Sequence, residues 1–200
     1  GRLKRSALRA QEYKSLYKDW VSYSAARPRS SRFEHNPNLF FLIQTEDEDG
    51  DHILVAGGLY MPSSKQVRAI REAIAEDASP FQRLFDTKSF SSRFPGGFSD
   101  ERISTRIPRG FDPTHPRIEW IKLQAFFVWK SYTMREFSSA SFPELVAQDC
   151  AEILKLNELL DLAISGRWAT SQKSKSKDRK ETKSHLALDE FTAPRHKMDF

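Results

Sequence analysis

Asn38-Leu-Phe-Phe-Leu-Ile-Gln44, the acidic Thr45-Glu-Asp-Glu-Asp-Gly-Asp51, and His52-Ile-Leu-Val-Ala-Gly-Gly-Leu-Tyr-Met61 decide how this chain folds. Two β-forming runs joined by an acidic, glycine-bearing turn read as a hairpin. Pro62 stops the second run, and Ser63 with Gln66 has the spacing of a capping box that opens a helix. Val67, Ile70, Ile74 and Ala78 share one face of that helix, with Lys65, Arg68, Arg71, Glu72 and Glu76 opposite, so it packs through one side. Gly57-Gly58 belongs to no Gly-x-Gly-x-x-Gly or Gly-Lys-Ser/Thr string, and two glycines inside a strand signal a bulge or a close backbone approach.

Further along the chain, Ser79, Pro80 and Gln82 predict a short helix through Phe81, Leu84 and Phe85, with Ser79 as its cap. Pro95-Gly96-Gly97 breaks the chain, and 106–116, with Pro108, Pro113, Pro116 and Gly110, reads as an ordered loop. A short helix near 117–123 leads into a strand over 125–132, after which Thr133 and Glu136 repeat the capping-box spacing. Ser141 and Glu144 are expected to cap a long helix near 142–165. There Phe142, Leu145, Val146, Asp149/Cys150, Ile153, Leu156, Leu160 and Ile164 step at three or four, and Gly166 ends it. A hairpin followed by helices, without strict βα alternation, predicts an α+β fold: a mostly antiparallel sheet, including the hairpin near 38–61, packed with several helices.

The 200 residues suit one domain, and 15 Phe with 4 Trp exclude a wholly disordered chain. The net charge of +5 is unevenly placed: residues 1–32 carry nine Lys/Arg against two acids, residues 167–200 nine against five, and residues 33–166 are acidic at −6. Three segments follow: a basic N-terminal segment, 1–32, separate from the domain or its first part; a single α+β domain, 33–166; and a disordered basic tail, 167–200, too polar to offset chain entropy. Within the tail, Leu186, Leu188 and Phe191 make 186–194 a candidate docking segment for a protein partner, against the plainer reading of an unstructured end. The start of the chain, rich in Arg and poor in acids, resembles an organellar transit peptide and lacks a secretory apolar stretch. With one cysteine, Cys150, there is no internal disulfide, which suits a reducing, cytoplasmic setting. The longest aliphatic and aromatic run, Leu39–Ile43, is far below the roughly 20 residues of a membrane-spanning helix, so no membrane association is expected.

Three strings stand together in order: Ala56-Gly-Gly-Leu-Tyr-Met-Pro62 before an amphipathic helix, Arg106-Ile-Pro-Arg-Gly-Phe-Asp-Pro-Thr-His-Pro116, and 121–128. Together they resemble the domain of unknown function 2461 family, mainly bacterial with fungal members, over about residues 37–164. The family has no established activity, so the resemblance implies a fold more than a function. It also implies an upstream signature, to which Arg9, Lys14, Tyr17 and Lys18 conform. Ser6, Ala7, Ala10 and Tyr13 stand where Arg, Asp, Phe and Asp are expected, and Gln124 stands where relatives have Lys. If the missing groups are catalytic, this member is altered or inactive.

Arg102, Arg106, Arg109 and His115 concentrate positive charge on a proline-constrained loop of an acidic domain. The fixed fork of a guanidinium matches two oxygens of a phosphate or carboxylate at once. The resemblance adds Arg9, Lys14, Tyr17 and Lys18 to the same site. The competing reading pairs these arginines with Asp100, Glu101, Asp112 and Glu119 as surface salt bridges. His115 is either a general base or a hydrogen-bonding post for the loop. Cys150, on an apolar stripe, reads as core rather than nucleophile. His35, His52, His115, His185 and His196 lack ligand spacing, and the acidic turn lacks the alternation of a calcium loop, so no metal and no cofactor are expected. Tyr13, Tyr17, Trp20 and Tyr23 beside Lys14 and Lys18 form either core or a stacking platform for single strands. The leading function is a binding module for an anionic small molecule or partner, built on Arg106, Arg109 and His115. The alternatives are an enzyme, hydrolase or nuclease-like, that acts on a phosphorylated substrate and recruits a carboxylate such as Asp112, and nucleic-acid binding through the basic termini.

Overall fold

The computed structural model describes residues 4–12, 17–28, 35–45 and 52–168. The acidic turn at 46–51, Tyr13, Lys14 and the 186–194 segment lie outside the described residues.

The hairpin is present: β2 (Asn38–Gln44) and β3 (His52–Leu59) pair antiparallel from Gln44 opposite His52 to Asn38 opposite Gly58. β4 (Phe126–Tyr132) lies along the other side of β3, with Phe126 opposite Leu59. β1 (Trp20–Ala26) completes an antiparallel sheet of order β1-β2-β3-β4, with Trp20 opposite Gln44. Trp20 and Tyr23 stand in this strand. β2 has a second edge of unpaired backbone groups, and Trp20–Ala26 satisfies it although its own apolar pattern is weak. The basic segment before residue 33 thus contributes a strand to the domain.

Seven helices accompany the sheet among the described residues: α1 (Ala7–Glu12), α2 (Ser64–Asp77), α3 (Ser79–Phe85), α4 (Lys88–Ser91), α5 (Ile118–Lys122), α6 (Met134–Phe137) and α7 (Phe142–Ile164). The capping boxes at Ser63/Gln66 and Thr133/Glu136 both form, each with hydroxyl and side-chain oxygen answering the other residue's backbone N–H. Two expected caps do not. Ser141 already has helical φ and ψ, so its hydroxyl is not aimed at the first-turn N–H groups, and it pairs with Ser139 at 3.2 Å instead. Ala78, not Ser79, stands before α3, and the Ser79 N–H goes to Asp77 Oδ1 at 2.9 Å. Gly166 closes α7 as read from the sequence. At φ +70°, its N–H reaches the Ala163 carbonyl and that of Arg167 the Leu162 carbonyl, the two bonds of a Schellman motif.

One face of the sheet holds the core. Ile53, Val55 and Leu59 of β3 and Phe126, Val128 and Tyr132 of β4 pack with Ile70 and Ile74 of α2 and Ile153, Leu156 and Leu160 of α7. The glycine pair permits this contact. A Cβ on Gly57 would fall 2.1 Å from Ile153 Cγ2, and Gly58, at φ +114°, would carry one 2.4 Å from the Phe126 carbonyl oxygen. At the far end of the core, Phe81, Phe85, Phe90, Phe94 and Phe98 form an aromatic cluster. Trp168, 3% exposed, stacks on Phe81 at 5.1 Å, so the packed structure runs two residues past the expected boundary at 166.

Strand alternation sends the remaining side chains to the opposite face. By register these include Trp20, Phe40, Leu42, Leu54, Ala56, Phe127 and Trp129, and none of them belongs to the core cluster.

Candidate anion-binding loop

The loop that follows the aromatic cluster is closed at its base. Ser104 N–H donates to the Lys122 carbonyl at 2.9 Å, Gln124 N–H donates to the Arg102 carbonyl at 2.7 Å, and Ile103 bridges Leu123. Between these ties the chain is held by its own short side chains. The Ser104 hydroxyl donates to the Arg106 carbonyl at 2.8 Å. Gly110 supplies a positive φ of +89° within the turn from Pro108 to Phe111. Asp112 Oδ1 accepts from the Thr114 N–H at 2.8 Å and the Thr114 hydroxyl at 2.7 Å, an Asx turn. His115 Nδ1 accepts from the Arg117 N–H at 3.1 Å. Phe111 and Ile118 pack against the core and anchor the excursion.

Arg106 and Arg109 are exposed on this frame. Three residues apart, their α-carbons are at most about 11 Å from one another, within reach of one extended anion. Among the described residues, neither guanidinium pairs with a carboxylate. Two of their four expected partners are engaged elsewhere: Asp112 by Thr114, and Glu119 by Lys122 at 3.1 Å. Arg102 donates to the Tyr60 carbonyl at 2.9 Å with its guanidinium 5.5 Å from the Tyr60 ring, and Arg117 lies 4.9 Å from the Trp120 ring.

Asp112 is held below the usual carboxylate range by the Thr114 backbone N–H, then the Thr114 hydroxyl, with a smaller contribution from His115. It stays ionised. The bond to His115 Nδ1 makes that nitrogen an acceptor and the ring a post for the loop.

Arg9 and Tyr17 stand elsewhere. Arg9 is exposed in the last turn of α1. Tyr17 bridges Lys4 three residues before β1, its carbonyl accepting from Arg5 Nε at 3.0 Å while Arg5 also pairs with Asp19 at 2.8 Å. β1 begins at the corner of the sheet diagonally opposite the start of β4, where the loop is tied. Three strand spacings and about seven residue rises put those corners on the order of 25 Å apart. No hydrogen bond or ion pair among the described residues joins Arg9 or Tyr17 to Arg106, Arg109 or His115. Lys14 lies outside the described residues, and Lys18 sits over the Trp20 ring at 4.2 Å.

Sequence reasoning missed one cluster altogether. Asp149, fully buried on α7, accepts from Arg93 Nη1 at 2.7 Å and from the Tyr132 hydroxyl. Burial, followed by the Asp149 carboxylate, pushes the Tyr132 hydroxyl far up, so it remains a proton donor. Breaking such a pair leaves an uncompensated charge inside the protein, a loss of about 3–5 kcal/mol. The Asp149 carboxylate is satisfied within the cluster, which holds β4, α7 and the turn after α4 together. The only sequence signal was an Asp on an apolar helical stripe. The neighbouring Cys150 is half-buried, with its thiol pushed up by burial and then by Asp149, which keeps it unreactive.

Among the described residues, no three His, Cys, Asp or Glu side chains are grouped to hold a metal ion, and no helix is long and apolar enough to cross a membrane. No curated protein and no solved structure matches the chain. A family model described as conserved hypothetical protein (DUF2461) matches residues 2–158, most of the chain and well beyond the strings that first suggested it. The chain therefore belongs to the DUF2461 family.

Proposed function

We propose that this protein is a binding module for an anionic ligand bearing phosphate or carboxylate groups, taken by the 102–117 loop with Arg106 and Arg109 as the two forks. The observation that carries the reading is the pair of exposed guanidinia without carboxylate partners among the described residues, on a loop whose backbone is already tied by its own hydrogen bonds. A preordered loop spares the ligand much of the entropy of ordering a flexible one. His115, whose Nδ1 accepts from the Arg117 N–H, supports a post for the loop over a general base. The single cysteine supports a cytoplasmic setting.

The test is thermal unfolding of the full chain with inorganic pyrophosphate. Ligand at about a hundred times its Kd stabilises a folded protein by roughly 2.7 kcal/mol, which appears as a clear rise in Tm. The rise is expected in the parent and is expected to vanish in Arg106→Ala/Arg109→Ala. No shift in the parent with pyrophosphate, or an equal shift in the double variant, refutes the assignment.

A further inference from the structure

We propose that the sheet face turned away from the helices binds single-stranded nucleic acid, with bases stacked on its aromatic side chains. The inference is independent of the 102–117 loop and rests on a different surface. β2 carries an unbroken apolar run, Leu39–Ile43, so both of its faces call for cover, yet the core cluster draws only on Leu39, Phe41 and Ile43. Phe40 and Leu42 point the other way. In the register, Ala56 lies between Phe40 on β2 and Trp129 on β4, so two rings flank one small residue about 10 Å apart across the strands. Trp129 is 43% exposed. Phe127, 6% exposed, lies beneath this line on β4 and meets the Tyr60 ring edge-on at 5.0 Å, leaving Tyr60, 52% exposed, as the second accessible ring.

Charge selects the occupant. Among the described side chains that the register assigns to this face, none is Asp or Glu, although residues 33–166 as a whole are acidic. Instead a cation sits over an aromatic ring at each margin: Lys18 over Trp20 at 4.2 Å on the β1 side, and Arg102 by Tyr60 at 5.5 Å on the β4 side. Ser22, Ser24, Asn38, Gln44 and Ser131 supply uncharged hydrogen-bonding groups between them. Exposed rings at Trp129 and Tyr60, cations at both edges and no carboxylate among the described side chains of the face suit a polyanion with π faces. An apolar protein surface needs no such cations, and a duplex keeps its bases out of reach.

The experiment is fluorescence anisotropy of a labelled oligothymidylate titrated with the full chain, beside a duplex of the same length. The single strand is expected to bind more tightly than the duplex, with affinity falling as salt rises. Trp129→Ala and Tyr60→Ala are each expected to weaken binding about tenfold, the size of one lost stacking platform, while Trp129→Phe stays near the parent. Tyr60→Ala and Trp129→Phe give the answer even if Trp129→Ala lowers the Tm. Equal binding of strand and duplex, or parent-like affinity in both alanine variants, overturns the proposal. So does a dimer that Trp129→Ala dissociates, since a second copy then covers the face. Arg106→Ala/Arg109→Ala should retain strand binding within about threefold, with the Trp129 dependence intact. A larger loss there, with Trp129→Ala unaffected, moves the site to the loop and also overturns the sheet-face assignment.

Discussion

Gly57→Ala tests the contact on which the architecture rests, the seat of α7 on the sheet. The added methyl would lie 2.1 Å from Ile153 Cγ2, 3.3 Å from Ile153 Cβ and 2.7 Å from the Asn38 carbonyl oxygen. Carbon atoms in contact prefer about 3.5–4.0 Å, so the overlap can be relieved only by moving the helix from the strand or turning Ile153 off its rotamer. Overpacking of this kind typically costs about 1–3 kcal/mol. Two opposing groups, one of them backbone, place Gly57→Ala at the upper end, near 3 kcal/mol, less roughly 0.5–1 kcal/mol recovered because alanine restricts the unfolded chain. A domain of this size has about 5–15 kcal/mol in all, and each kcal/mol moves Tm by roughly 2–4 °C. The assay is urea unfolding of Gly57→Ala, Ile153→Ala and the double variant. Ile153→Ala alone should cost about 2–5 kcal/mol through the cavity it leaves. The double variant should cost less than the sum by about 1–2 kcal/mol, because the new methyl enters that cavity. Rescue stays incomplete, since the Asn38 oxygen remains. Additive losses, or a Gly57→Ala protein within about 0.5 kcal/mol of the parent, would refute the close seat of α7.

Trp168→Ala in the full chain should lose about 3–5 kcal/mol by urea unfolding, with Trp168→Phe recovering most of it through the ring stacked on Phe81; an unaffected alanine variant would show that the packed domain ends at 166. The Asx turn predicts a pH dependence in the loop. The folded Asp112 has a depressed pKa, so the contribution of its ionised form is fully present above the unfolded value of about 3.9 and is lost as pH falls through the lower folded value. The Thr114 amide proton shift, followed by NMR, should titrate with a midpoint below that of aspartate in a model peptide, and a midpoint at or above that value removes the turn from the account.

Local rules were legible where partners are close in sequence. Ser63/Gln66 and Thr133/Glu136 form their boxes because cap and responder are three residues apart on a helix that neighbouring residues already favour. The hairpin, the glycine pair, Gly166 and the loop were readable for the same reason. Ser141 carried the same signal and failed, because the chain enters α7 already in helical conformation. In the candidate loop, the residues could be named and their rivals Asp112 and Glu119 foreseen. Whether guanidinium met carboxylate depended on which neighbour reached the acid first, and Thr114 and Lys122 did.

By itself, the sequence determined the element types, the antiparallel hairpin, the amphipathic helices and the separation of a basic start and end from an acidic middle, because periodicity, caps and turn chemistry act over a few residues. Only the tertiary structure decided what depends on pairing across long separations. Trp20–Ala26 became a strand because β2 had an edge to satisfy. Arg93 found Asp149 across 56 residues because a buried carboxylate needs a partner. Arg9 and Tyr17 were parted from Arg106 by the order of strands. The same packing chose which face of an apolar strand to cover, leaving Phe40 and Trp129 on the other.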